Sequence, residues 1–154
     1  MKILIISVGK KHDPNLAEAI KDYSSRMSHF AVLEWNIVQA EKFSNPEKSK
    51  QAESEKINKI LNPSDLVVLM DERGSLVSTD DLLEIISDTR NKSYKRMVII
   101  IGGSRGVAPT LFSRADKVIS LSKMTFPHQI ARLIVVEQLY RCHSMLENQP
   151  YHHQ

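Results

Sequence analysis

The order of predicted elements gives an α/β domain: one parallel sheet with helices on both faces. Three observations predict it. Short aliphatic, β-branched runs alternate along the chain with stretches of helical periodicity. Two of the runs, Leu66–Met70 and Met97–Ile101, are continuously apolar, as strands buried on both faces of a parallel sheet are. No repeat, linker or low-complexity segment breaks the alternation, and 154 residues suit one domain, 1–154, with its own core.

The first run, Lys2–Val8, is closed by Gly9 and reads as a buried strand. It is too short for a signal-peptide core and no cleavage pattern follows it. Asp13-Pro14 then starts a helix, with Asp as N-cap and Pro at the first helical position. Leu16, Ile20, Tyr23 and Met27 recur along one face of that helix. Val32–Val38 is a second strand. Its alternation of Leu33, Trp35 and Ile37 with Glu34 and Asn36 predicts a partly exposed strand at a sheet edge.

Asn45-Pro46 repeats the helix-start device. The helix it opens, Pro46 to Leu61, is polar until Ile57, Ile60 and Leu61, which predicts a surface position, and Asn62-Pro63-Ser64 stops it. Leu66–Met70 is the third strand, central in the sheet, and Asp71-Glu72-Arg73-Gly74 is a turn after it. Ser78 with Asp81 resembles a capping box ahead of Leu82, Leu83 and Ile86. Met97–Ile101 is the fourth strand, Pro109–Ala115 a short helix, Lys117–Leu121 a fifth strand, and Pro127 opens a last helix to about Leu146.

That last helix is apolar nearly all round, from Ile130 and Leu133 to Met145 and Leu146. A helix of this kind is covered on more than one side. In so short a chain a homodimer interface is the favoured second cover, with Glu137 and Arg141 one turn apart and able to pair. The alternative is a core helix of a monomer, with Arg132, Gln138 and His143 as its exposed stripe.

A hydrophobic content of 42% and a charged content of 25% are those of a soluble globular protein, and no apolar run is long enough to cross a membrane. Cys142 is the single cysteine, which excludes an intrachain disulfide and favours a cytoplasmic location. A net charge of +3 permits contact with nucleic acid without requiring it.

Two loops at predicted strand ends carry the candidate chemistry. Gly102-Gly103-Ser104-Arg105-Gly106 lets backbone approach a ligand, but its spacing is neither a dinucleotide fingerprint nor a phosphate loop ending in Gly-Lys-Ser/Thr. A tight turn is the plainer account of it. Leu121-Ser122-Lys123-Met124-Thr125-Phe126-Pro127 offers backbone hydrogen bonds beside an apolar wall, which suits a flat base, or is simply a helix entry. Asp71 and Lys123 match the phosphoacceptor and lysine of a receiver domain. The acidic pair such a domain needs for Mg²⁺ is replaced by Gly9-Lys10-Lys11. The six histidines have no zinc-site spacing, so no metal is expected. Lys10, Lys11, Arg105, Lys123 and Arg132 lie on or near the loop end of the sheet, as a path for RNA or as a solvated rim. In the tail Pro150-Tyr151-His152-His153-Gln154, Tyr and His are able to stack on a nucleobase and contact phosphate.

Taken together, ILIISVGK, IIIGGSRGV, SLSKMTFPHQIARLIVVEQLYR and the terminal PYHH resemble the RlmH-type ribosomal RNA methyltransferases of the SPOUT superfamily, over the whole chain. The resemblance implies a trefoil knot at the C-terminal end, a homodimer, and S-adenosyl-L-methionine as cofactor. It implies N3-methylation of a pseudouridine in helix 69 of large-subunit (23S) rRNA, with RNA or the ribosome as partner. Carried over by position, the cofactor contacts are Met70, Gly102, Gly103, Leu121, Ser122, Lys123, Met124, Thr125 and Phe126, and the catalytic tail residues are Tyr151 and His152. Many members have Arg or Lys after the Tyr-His pair, where this chain has His153 and then Gln154. That change replaces a permanent charge by one that titrates near neutrality.

Overall fold

Along the chain run β1 (Lys2–Val8), α1 (Pro14–Met27), β2 (Val32–Val38), α2 (Pro46–Ile60) and β3 (Leu66–Leu76). They are followed by α3 (Thr79–Asn91), β4 (Arg96–Ile101), α4 (Pro109–Arg114), β5 (Lys117–Ser120) and α5 (His128–Leu146). The structure is a computed structural model and describes residues 1–151. The strands form one sheet in the order β2-β1-β4-β3-β5, and every pairing is parallel. The expected α/β class holds, with β2 at an edge and β3 internal.

Period-2 alternation divides the strand side chains between two cores. Ile3, Ile5, Val68, Ile99 and Ile119 face one side, where Met27 of α1, Ile86 of α3 and Val135 and Leu139 of α5 cover them. Leu4, Ile6, Val67, Leu69, Val98 and Ile100 face the other, beneath Ile57 of α2 and Leu111 of α4. The predicted starts of α1 and α2 are made by their caps. Asp13 accepts the Asn15 N–H at 2.8 Å and Asn45 that of Glu47 at 3.0 Å. Ser78 and Asp81 form the reciprocal capping box of α3.

Two expectations and one alternative need correction. The turn read at Asp71–Gly74 interrupts β3 without ending it. The register shifts between Met70 and Ser75, after which Ser75 and Leu76 pair again with Ile119 and Ser120 of β5. Helix α2 buries more than its apolar end. Ser49, Glu53 and Ser54 are buried beside Ile57 because each meets a backbone N–H: Phe43, Glu41 and Ala108 respectively. In α5, Arg132 and His143 are buried, so they form no exposed stripe. His143 Nδ1 lies 2.8 Å from the Leu139 carbonyl, and burial holds its pKa below the ordinary value. The outer side of α5 carries Ile130, Leu133, Ile134, Glu137 and Arg141 instead, with Arg141 Nε donating to Glu137 at 3.0 Å.

Candidate active site

On the side of the sheet where the parallel strands β4 and β5 end, the bulge of β3 and the loops after β4 and β5 enclose a cleft of about 820 Å³. Its floor is Met70, Ile101 and Ile119 at the strand ends. One wall is the Gly102–Gly106 turn; the other is the loop from Leu121 to Pro127, continued by His128 and Ala131 of α5. Met70, Gly102, Gly103, Leu121, Ser122, Met124, Thr125 and Phe126 all line it. Lys123 is exposed and does not.

The glycines shape the cleft by what they omit. A Cβ at Gly102 would come within 2.9 Å of Val107 Cγ1, and one at Gly103 within 3.2 Å of Val8 Cγ1. Their missing side chains therefore let the turn fold down onto the sheet, besides baring the backbone to a ligand. Gly106, at φ +77, closes the turn by donating to the Gly103 carbonyl at 3.0 Å. Three polar side chains fix the second loop. Ser120 Oγ donates to the Ser122 carbonyl at 2.9 Å, Ser122 Oγ accepts from Met124 N at 2.9 Å, and Thr125 Oγ1 donates to Glu72 at 3.3 Å. Met124 is left 73% exposed over the cleft. A thioether held in water beside an apolar wall marks area that an apolar ligand would cover.

Sequence reasoning missed Lys50, Glu72 and Arg73 as lining groups and gave Asp71 only the receiver reading. Lys50 reaches the cleft from α2, and Asp71, Glu72 and Arg73 reach it from the bulge of β3. Only the unusual polarity of α2 hinted at a partner. Asp71 is committed to Arg73, whose Nε donates to it at 2.8 Å. Burial pushes the Asp71 carboxyl up, and the Arg73 bonds outweigh that and hold it below its usual range. The guanidinium of Arg73 also stacks 4.4 Å from the Phe112 ring centroid. Arg105 also lines the cleft, and its Nη1 lies 3.5 Å from the Phe43 carbonyl and 3.4 Å from Ser49 Oγ. Among the described residues no group of His, Cys, Asp and Glu is placed to hold a metal, and no helix is long and apolar enough to cross a membrane.

Tyr151 is not at the cleft. Its hydroxyl donates to Glu137 at 3.2 Å and lies 3.0 Å from that of Tyr23, and its ring packs edge-on against Tyr140. Burial first, then Tyr23 and Glu137, push its pKa upward, so it stays a neutral phenol. Ten residues of α5 separate Ala131 in the cleft from Arg141 beneath Tyr151, a distance of about 15 Å. The other candidate catalytic residue, His152, lies outside the described residues, as do His153 and Gln154.

A cleft at the carboxyl ends of adjacent parallel strands, walled by glycine backbone on one side and an apolar loop on the other, is the ligand site of an open α/β protein. The family model for predicted SPOUT methyltransferases matches residues 1–152, and the chain belongs to that family. The ribosomal RNA large subunit methyltransferase H of Christiangramia forsetii is 40% identical to it over 99% of each chain. Its namesake from Phocaeicola vulgatus is 41% identical over 100% of each. That of Geobacter metallireducens is 36% identical over 99% of each. A solved structure, a probable methylase family protein from Haemophilus influenzae, shares the fold at a TM-score of 0.53 and 14% identity. That match covers 95% of this chain and 66% of the other.

Proposed function

We propose that this protein is a methyltransferase of large-subunit ribosomal RNA that uses S-adenosyl-L-methionine to methylate N3 of a pseudouridine in helix 69 of 23S rRNA. The observation that carries the reading is the cleft itself, with its bare glycine wall and the exposed Met124 opposite. The names and full-length coverage of the relatives support the substrate class.

The residues present fit the cofactor. Leu121, Met124 and Phe126 offer apolar surface for a flat base, Gly102 and Gly103 admit a ligand close to the backbone, and Met70 closes the floor. Lys123 would take part through its backbone. When bound, the cofactor supplies a methyl group already activated on a sulfonium. The work left to the protein is to align the nucleotide and exclude water, which oriented contacts and apolar walls do. Tyr151 rests far along α5 from its own cleft. We assign Tyr151 and His152 to the partner's cleft in a homodimer that packs on the outer face of α5. There His152 would hold the target base, and His152 or a water would take the proton N3 loses. The trefoil knot is proposed on family membership. It is consistent with the path of the chain, which leaves edge strand β5 and returns to set α5 against α1 and α3. Such a protein works where ribosomes are, in the cytoplasm.

Calorimetric titration with S-adenosyl-L-methionine, with ATP as control, tests the proposal. Saturable binding of the first alone is expected. No binding by folded protein would sink the methyltransferase reading.

A further inference from the structure

Among the described residues, Arg132 is a buried cation without an acid. Its side chain is 0% exposed, in the first half of α5 and under the β1–α1 loop. Its bonds to the described residues all go to neutral acceptors. Nε donates to Ser7 Oγ at 2.7 Å, Nη1 to the Lys10 carbonyl at 2.9 Å and to Gln129 Oε1 at 3.3 Å, and Nη2 to the Val8 carbonyl at 3.4 Å. His12 Nδ1 stands 3.5 Å from Nη1. Among the described residues no carboxylate pairs with it, and burial alone pushes its pKa down with nothing opposing. Taking a guanidinium out of water without a counter-charge is costly, and an arginine stays charged. The neighbourhood compounds the cost. His12 and His128 are both held below their ordinary pKa, by burial first and then by Arg132.

The surroundings show where a counter-charge would come from. The loop over Arg132 turns at Gly9, φ +131, and ends in exposed Lys10 and Lys11. Among the described residues neither lysine has an acidic partner. A Cβ at Gly9 would stand 3.1 Å from His128 Nε2 and 3.5 Å from Arg132 Nη2, so both groups approach the bare side of that glycine. The first turn of α5 has no side-chain cap, and His128 is also a wall of the cleft. A binding cleft thus adjoins a patch of uncompensated positive charge.

We propose that the Gly9–His12 loop and the start of α5 form a phosphate subsite for the RNA strand entering the cleft, in which Lys10, Lys11 and His128 meet the phosphate and buried Arg132 supplies the charge beneath them. This rests on the RNA-methyltransferase reading. Arg132 is a positioning residue: it sets the loop through Lys10 and Val8 and its field draws the anion, without touching it. A phosphodiester is favoured over the cofactor's carboxylate because the two exposed lysines extend the charge outward from the cleft, along the path of a polyanion.

The test is the affinity of the full-length protein for a helix 69 hairpin RNA across a potassium chloride series, with S-adenosyl-L-methionine affinity measured alongside. In Lys10→Ala/Lys11→Ala the slope of log affinity against log salt is expected to fall by about 0.7–0.9 per lost phosphate contact. Cofactor affinity should stay within about twofold, since the lysines lie outside the cleft. Arg132→Met should weaken RNA binding although its side chain is out of reach of solvent; if that variant does not fold, the lysine pair still decides. An unchanged slope, or a wild type that does not bind the hairpin at low salt, would overturn the subsite and leave Arg132 a loop clamp. A parallel loss of cofactor affinity would overturn it in favour of the cofactor's carboxylate. A wild type that binds no cofactor sinks the methyltransferase reading and leaves the slope comparison valid.

Discussion

At Gly74 the chain crosses β5 so closely that a Cβ would lie 2.6 Å from the Ile119 nitrogen and 2.6 Å from the Val118 carbonyl carbon. Those atoms are backbone and cannot swing aside. Gly74→Ala should therefore destabilise the fold by about 1–3 kcal/mol, the cost of overpacking. At Gly106 none of the described residues lies within 4 Å of the missing Cβ, so Gly106→Ala should show only the strain of its positive φ, about 1 kcal/mol. Urea denaturation of the two variants checks the contrast; equal losses would mean that Gly74 does not make this crossing. Asp65 and Arg96 offer a second test at this scale. Arg96 Nε and Nη2 donate to the two carboxylate oxygens at 2.8 and 2.6 Å, and the Asp65 side chain is 2% exposed. Burial pushes this carboxyl up, but Arg96 and the Asn62 N–H outweigh burial and hold it below its usual value. A carboxyl lowered on folding stabilises the protein above its unfolded pKa and loses that contribution as pH falls through the folded one. Asp65→Asn should cost toward the low end of about 3–5 kcal/mol at neutral pH, because Arg96 keeps some solvent contact. The gap from wild type should close below about pH 4; a gap independent of pH would count against the ion pair. Neither residue was legible in the sequence. Gly74 read as an ordinary turn glycine and Asp65, just past the helix stop, drew no reading, because both roles are set by partners far along the chain.

Among the elements, those with a strong local signal were legible. Proline after Asp13 and Asn45, and the Ser78–Asp81 box, marked the starts of α1, α2 and α3 through bonds that close within a few residues. Helix α2 was only half legible. Its polarity predicted surface, yet Ser49, Glu53 and Ser54 are buried because loop N–H groups meet them, and composition does not record such partners. Ser54 Oγ accepts the Ala108 N–H at 3.1 Å where the glycine turn re-enters the core. Ser54→Ala would leave that buried donor unmet, at about 1–3 kcal/mol. Because the turn is a wall of the cleft, cofactor affinity should fall as well. Calorimetry and thermal melts on one sample check both, and a loss of stability with unchanged affinity would separate α2 from the site. Arg132 illustrates the same limit: the monomer alternative set it on an exposed stripe, and its acceptors on β1 and the following loop drew it inside.

For the whole molecule, the tail decides how many chains one active site needs. Tyr151 is tied to Glu137 and Tyr23 and stacks with Tyr140, on α1 and α5 of its own chain, away from its own cleft. The outer face of α5 next to it leaves Ile130, Leu133 and Ile134 partly exposed. A two-fold interface on that face would bring each tail near the other subunit's surface. Two variants test whether the site is shared. Removing the last four residues should leave cofactor binding intact and abolish methylation. Gly102→Trp, which fills the cleft wall against Val107, should abolish cofactor binding. Each homodimer is then inactive. If the tail serves the partner's cleft, a heterodimer holds one intact site, formed by the cleft of the tailless chain and the tail of the other. Random exchange makes half the dimers heterodimers, each with one of two sites working, so mixing should restore about one quarter of wild-type activity. If each tail serves its own cleft, no mixture recovers, because every cleft with a tail is blocked and every open cleft lacks one. Recovery that disappears when Ile130 and Ile134 are changed to Asp would place the exchange at α5. Recovery that survives those changes in a dimer would put the interface on another face.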